Sequence, residues 1–393
     1  MSMSFLAERT KVQASATLAL SEKVKELKRA GQDVISLSLG EPDFLTPEHV
    51  RNYAKQALDE GYTFYPDSAG LIELREAIAH KFQHDNRINV DPKKNVVVTV
   101  GGKEAIYLAM MATVNPGDEV IVPNPCWVSY VPCIELAGGK PVYLPLKAKE
   151  DFRLSAERLE NAITNKTKMI IINSPNNPSG TIINRSDLET IADLAKRKKF
   201  LVVSDELYEK IIFDGEKHVS IASLDGMEDF TITVNGFSKA LAMTGWRLGY
   251  LAAPTKIAER LVALHGHIVT GACSFIQRAA ALAMRDPRTE KSITEMAAEY
   301  LKRRNFVVNE LSKMTDCVRP KGTFYAFPDI SKYGLSSEKF SLQLLERAKV
   351  AVVPGDSFGP SGEGFVRLSF ATSMENLEKA FSRMKTAIAP IQA

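Results

Sequence analysis

The chain has 393 residues, 45% hydrophobic and 25% charged, with 50 lysines and arginines against 47 aspartates and glutamates. That length holds about two or three domains, and a formal charge of +3 with both signs interspersed offers no nucleic-acid surface. No run reaches the roughly 18 apolar residues that span a bilayer, and residues 1–30 lack the apolar core of a signal peptide, so the expectation is a soluble, cytoplasmic protein with no membrane partner.

A helix over residues 21–31 and a strand over 33–37 open the chain. Apolar, β-rich runs then alternate with helical patterns. Strands are expected at 95–100, 118–123, 140–144, 168–173, 200–205, 230–234 and 250–253, with helices at 103–114 and 186–199. Such alternation predicts an α/β fold around a mainly parallel sheet with helices on both faces, whose ligands gather at the carboxyl ends of strands. From about residue 287 the pattern changes. A long charged helix (290–314), short strands (317–319, 322–327, 351–353, 364–370) and a last helix (374–389) read as a smaller α+β domain. The run Lys196-Arg197-Lys198-Lys199 reads as a solvated helix end.

The cysteines Cys126, Cys133, Cys273 and Cys317 form no CxxC pair, which fits a reducing compartment. His265-Gly266-His267 is the nearest thing to a metal cluster. It reads as packing and surface, and no metal is expected.

Five stretches carry polar chemistry. In VGGKE (100–104), Gly101 and Gly102 between a strand and a helix suit either an anion at the helix N-terminus or a plain tight turn; GxGxxG and GxxxxGK[ST] are absent. NSPNNPSG (173–180) is a rigid turn in which Asn177 is a side-chain donor candidate. LVVSDELY (201–208) delivers Asp205 to a strand end, where it either holds a ring nitrogen protonated or caps the next element; Tyr208 follows three residues on. In TVNGFSKALAMTGWRLG (233–249), Lys239 beside Ser238 can be desolvated into a neutral, nucleophilic amine, and Arg247 offers a fork for a phosphate. A surface lysine and a core-rim arginine are the competing reading. In GFVRLSFA (364–371), Arg367 lies inside an apolar strand and needs a carboxylate from protein or ligand.

Together with GEPDF (40–44) and YxxxxGxxELR (65–75), these stretches resemble class I aminotransferases dependent on pyridoxal phosphate (PLP), nearest the bacterial and archaeal aspartate aminotransferases, almost end to end. The resemblance implies fold type I: a large PLP domain (47–286) with a seven-stranded sheet, a small domain built from both chain ends (1–46 with 287–393), and a homodimer with shared active sites. It implies that Lys239 bonds to the cofactor aldehyde and then moves the Cα proton, and that Asp205 pairs with the pyridine nitrogen. Tyr208 and Asn177 would bind the phenolic oxygen. Gly102, Lys103, Ser238 and Arg247 would hold the phosphate, with Tyr65 reaching it from the second subunit. Trp127 would stack on the ring, with a core tryptophan as the alternative. Arg367 and the Gly40 backbone would take the substrate α-carboxylate, and Lys103, near Ser15 and Thr17, is the candidate reader of a distal carboxylate. Gly236 stands where some relatives have a phosphate-binding serine. The implied reaction is transamination between aspartate and 2-oxoglutarate. Aromatic, prephenate or alanine transamination, a C–S lyase or cyclase on the same fold, and a non-catalytic effector module are the alternatives.

Overall fold

The structure, a computed structural model, describes residues 5–7, 10–12 and 16–388. Ser15 and the side chain of Thr17 lie outside the described residues. In chain order the strands are Ile35–Ser36 (β1), Val96–Thr99 (β2), Glu119–Asn124 (β3), Lys140–Pro145 (β4), Thr167–Asn173 (β5), Leu201–Asp205 (β6), Thr231–Gly236 (β7), Gly249–Ala252 (β8), Tyr325–Ala326 (β9), Val350–Ala351 (β10), Val353–Pro354 (β11) and Val366–Ser369 (β12).

Strands β2 to β8 form one seven-stranded sheet, in the order β2-β8-β7-β6-β5-β3-β4. β3 to β7 pair in parallel, whereas β8 runs antiparallel to both β7 and β2. The exception has a local cause. A parallel return needs a crossover long enough to traverse the sheet, and the connection from Gly236 to Gly249 contains only the 3-10 turn Thr244–Trp246.

Alternation along the strands loads both faces. Val120, Val122, Met169 and Ile171 pack with the helices Gly102–Thr113 and Thr255–Val269. Their neighbours Ile121, Ile170 and Ile172 pack with the helix Arg185–Lys198. Each of these side chains is fully or almost fully buried, stabilising the fold by about 1.5–3 kcal/mol apiece. A one-residue slip would exchange the two faces, so register is tightly specified. The helix Arg185–Lys198 starts on Asn184, whose side chain accepts from Asp187 N at 2.8 Å. It ends with Lys196, Arg197 and Lys198 in its last turn and Lys199 left-handed at φ 62°: the basic run is a solvated helix end. His265 is buried and His267 exposed on the helix Thr255–Val269.

A second core joins the two ends of the chain. Ile35 and Leu37 pack with Tyr300, Phe324, Leu368 and Phe381, and β1 pairs in parallel with β10. The expected strand at 317–319 is reduced to a single bridge, Cys317 to Pro328. β9, β11 and β12 make a small antiparallel sheet. No helix among the described residues is long and apolar enough to cross a membrane.

Candidate active site

The carboxyl ends of β5, β6 and β7 and the turn after β2 converge on one cavity of about 600 Å³, as expected for an open α/β sheet. Every residue nominated from the sequence lines it except Tyr65, which is 87% exposed next to Phe64 at 83%.

Lys239 sits three residues past the end of β7. Its Nζ donates to the Gly40 carbonyl at 2.5 Å and stands 5.8 Å and 5.9 Å from the rings of Tyr208 and Phe324. Desolvation, joined by Arg367 and Arg247 and opposed by Glu41 and Asp205, lowers its pKa to about 8. Gly236 lies so close to β8 that an added Cβ would meet Gly249 Cα at 3.1 Å. The narrow β7–β8 approach accounts for glycine at a position where a serine would crowd the neighbouring strand.

Asp205 ends β6 and is buried. Burial pushes its carboxyl up to about 6, while hydrogen bonds from Tyr130 and the Leu207 backbone pull the other way. Tyr130 Oη donates to Oδ2 at 2.6 Å, and Leu207 N donates to Oδ1 at 3.3 Å. Asp205 therefore both caps the turn that follows it and lines the cavity. Sequence reasoning passed over Tyr130; its signal was its place three residues after Trp127, and the two rings meet edge-on at 5.3 Å. The half-buried Trp127 also carries Lys103, whose Nζ lies 5.2 Å from the ring centre. Desolvation and Arg247 lower the Lys103 pKa, against the pull of Cys133.

The turn before the helix Gly102–Thr113 is interlocked with Arg247. Gly101 has φ 81°, and a Cβ there would strike Arg247 Nη2 at 2.6 Å; one on Gly102 would strike Leu207 at 2.8 Å. Only glycine lets the backbone come this close. Arg247 donates to the carbonyls of Thr244 at 2.8 Å and Val100 at 3.4 Å, and no carboxylate pairs with it among the described residues. Free amides at the start of a 12-residue helix, a guanidinium and the buried Ser238 make a cradle for a phosphate.

Arg367 enters from β12. It is 3% exposed, and Nη1 donates to Asn177 Oδ1 at 3.0 Å while Nη2 donates to Ser38 O at 2.9 Å. The guanidinium lies 4.3 Å from the centre of the Tyr325 ring and 5.0 Å from that of Phe358. Its Nε has no partner, and no carboxylate pairs with it among the described residues. Of the two sources weighed from the sequence, a protein carboxylate is not found beside it among the described residues. Tyr325, absent from the sequence nomination, also shares a hydrogen bond with Tyr208 at 2.9 Å.

Two other features adjoin this site. A cavity of about 210 Å³ backs the turn at 235–237 and holds none of the nominated residues. Glu206, Glu209 and His218 form a group of metal-type donors, but the Lys81 ammonium and the Asn86 amide already occupy its carboxylates.

The donor set fits PLP. Lys239 presents a desolvated amine, Asp205 a buried carboxylate, the 101–103 turn with Arg247 and Ser238 an anion cradle, and Arg367 a buried guanidinium that lines the same cavity. Comparison with known proteins agrees. A family model described as "Aminotransferase class I and II" matches residues 32–384. The chain is 50% identical to an aspartate aminotransferase of Pyrococcus abyssi and 48% identical to aromatic-amino-acid aminotransferase 2 of Thermococcus litoralis, each over 93% of this chain and 94% of the relative. Its structure matches that of Thermus thermophilus aspartate aminotransferase with maleate at a TM-score of 0.94 and 41% identity, covering 98% of this chain and all of the other. The chain belongs to the class I and II aminotransferase family and is a PLP-dependent aminotransferase.

Proposed function

We propose that the enzyme moves an amino group between a dicarboxylic amino acid and a 2-oxo acid, with aspartate and 2-oxoglutarate as the preferred pair. One observation carries the choice of substrate. Beyond a cation for the phosphate (Arg247) and one for the α-carboxylate (Arg367), the cavity holds Lys103, which has no acidic partner among the described residues. A distal carboxylate would neutralise it. The names of the Pyrococcus and Thermus relatives support the same reading. The face of Trp127 and the Thermococcus relative support a second one, aromatic amino donors.

The residues divide the work as follows. PLP supplies an aldehyde that captures amines and a ring that withdraws electrons from Cα. Asp205 would hold the ring nitrogen protonated, and Tyr208 and Asn177 would donate to the phenolic oxygen. Arg247, Ser238 and the amides of Gly102 and Lys103 would anchor the phosphate. Arg367, seated on Tyr325, would fix the α-carboxylate with the Gly40 backbone beside it. Lys239 Nζ would take the Cα proton and keep it for return, a general-base role that a pKa near neutrality favours. Glu206, buried beside Asp205, raises the Asp205 pKa through its charge.

Further parts of the reading rest on the fold. Residues 1–46 with 287–393 form the small domain and 47–286 the large one, supported by the shared core of the chain ends. The enzyme works in the cytoplasm, which its four unpaired cysteines suit. Two copies pair, so that the exposed Tyr65 of one reaches the phosphate of the other. Phe64 and Tyr65, like Ile268 and Val269, are exposed apolar or aromatic side chains, and the segments that carry them meet where Gly271 abuts Pro66.

A panel of amino donors on the PLP-loaded enzyme tests the substrate, with Lys103→Ala alongside. The expected result is a drop of about tenfold or more in kcat/KM for aspartate and a smaller one for alanine. Equal losses on both would remove Lys103 from distal-carboxylate recognition.

The amine itself has a pH signature. Only neutral Lys239 attacks an aldehyde, so covalent reconstitution of cofactor-free protein should speed up about tenfold per pH unit as pH rises toward 8, then level off. Stopped-flow absorbance would follow it. A rate still climbing toward the ordinary lysine range would mean that the amine is not desolvated.

A further inference from the structure

The cavity contains a cation that none of the roles above uses. The first helix, Ala16–Arg29, is docked by its apolar side: Val24 is 4% exposed in a cluster with Val34, Leu345 and Ala351, and Leu27 packs against them. Leu20 rests on the Phe152, Phe327 and Phe358 cluster. Ser21 and Lys25, four residues apart and so on one helix face, both line the active-site cavity, together with Ser38, Leu39 and Glu41. Lys25 forms no ion pair or hydrogen bond among the described residues. The nearby helix acid Glu26 is engaged by Lys23 at 3.5 Å, and Glu41 accepts from Thr244 at 3.0 Å.

Charge bookkeeping makes Lys25 more than a solvated lysine. The cavity is lined by Lys25, Lys103, Lys239, Arg247 and Arg367 against Glu41 and Asp205. With Lys239 taken as the neutral or cofactor-bonded amine, the four remaining cations balance Glu41, Asp205 and a doubly charged cofactor phosphate; without Lys25 the cavity would be net negative and would repel a substrate with two carboxylates and one amine more than a monocarboxylic amino acid. Lys25 is exposed and carried on a helix face, so its field acts on substrates entering the cavity and on the outer end of a bound one.

We infer that Lys25 is a specificity-determining residue: it faces the cavity from the first helix and, alongside Lys103, favours substrates with a distal carboxylate over those without. The inference rests on the dicarboxylate reading of the site. Because Lys25 is exposed, its effect belongs to KM and kcat/KM rather than to kcat.

The test compares the holoenzyme with its Lys25→Met, Lys25→Arg and Lys25→Glu variants, using aspartate and alanine as donors and succinate as an unreactive dicarboxylate inhibitor. Lys25→Met should lower the aspartate-to-alanine ratio of kcat/KM about three- to tenfold, within what an exposed charge pair delivers, and should raise the succinate Ki by a similar factor. Lys25→Arg should restore both, and Lys25→Glu should exceed Lys25→Met. Salt at about 0.5 M should narrow the gap between wild type and Lys25→Met by screening. If the wild type prefers aspartate and Lys25→Met keeps that ratio and the succinate Ki, Lys25 has no such role. Equal losses on both donors would also overturn it, because they would mark a structural effect. A wild type that prefers neither aspartate nor glutamate over alanine and phenylalanine would defeat the dicarboxylate reading, and Lys25 with it.

Discussion

Lys239→Ala should lower transamination by at least about 10⁴-fold, near the upper end of what a positioned general base contributes, while leaving the protein folded and able to bind PLP. The expectation follows from how many roles converge on one nitrogen. Nζ is a desolvated amine whose pKa, lowered to about 8, leaves a useful fraction of it neutral near physiological pH, and it is the base that the proposed mechanism sets to the Cα proton. Asp205 is already engaged by Tyr130 and Leu207, and Tyr208 by Tyr325. The other two lysines that line the cavity are held on other elements: Lys103 lies against the Trp127 face and Lys25 is carried on the first helix. The check is borohydride reduction of the PLP-loaded protein, followed by peptide mapping. Wild type should carry the label on Lys239 and the variant on no residue. Partial recovery of turnover by added small amines would locate the defect at the missing base. Label on another lysine in the wild type would overturn the assignment.

Arg367→Leu should cost about 10²- to 10³-fold in kcat/KM for every amino donor, the usual scale for removing one member of a buried charge pair. The loss should appear mainly in KM, because the α-carboxylate is bound in ground state and transition state alike. The geometry explains why the effect is general. The guanidinium is clamped by Asn177 Oδ1, Ser38 O and the Tyr325 ring, with its Nε unused. It is a preorganised fork with no acidic protein partner among the described residues, and every amino acid brings a carboxylate. Arg367→Lys should recover only part of the loss, since an ammonium cannot bind two oxygens in parallel. The cofactor spectrum and thermal midpoint of Arg367→Leu should stay near those of wild type, because Leu fits the apolar run Val366–Ser369. An unchanged KM across donors would dismiss Arg367 as the carboxylate clamp.

Much of this was legible in the sequence, for identifiable reasons. Continuous β-branched runs such as 95–100 and 168–173 announce strands buried on both faces. Lys239, Asp205 and Arg367 each stand out as a charge at or inside such a run. What escaped is non-local. The helices Glu48–Asp59 and Ser274–Met284 pack on each other across more than half the chain, and no local period reveals that pairing. The direction of β8 was hidden because periodicity has no polarity. Tyr130 looked like any core aromatic, and only its contact with Asp205, 75 residues away, distinguishes it. Lys25 was one of several lysines on a charged helix until the docking of Leu20 and Val24 showed which face it shares.

The antiparallel return of β8 has one more consequence. Gly236 and Gly249 face each other as the last pair of the β7–β8 ladder, so the loop between them is hemmed at both feet. Lys239 and Arg247 both ride on that loop. Amine and guanidinium are thus spaced by a single short span of chain, independent of how the remaining walls of the cavity shift. Lengthening the loop by even one residue would detune that spacing, whereas equal insertions elsewhere on the rim would leave it intact.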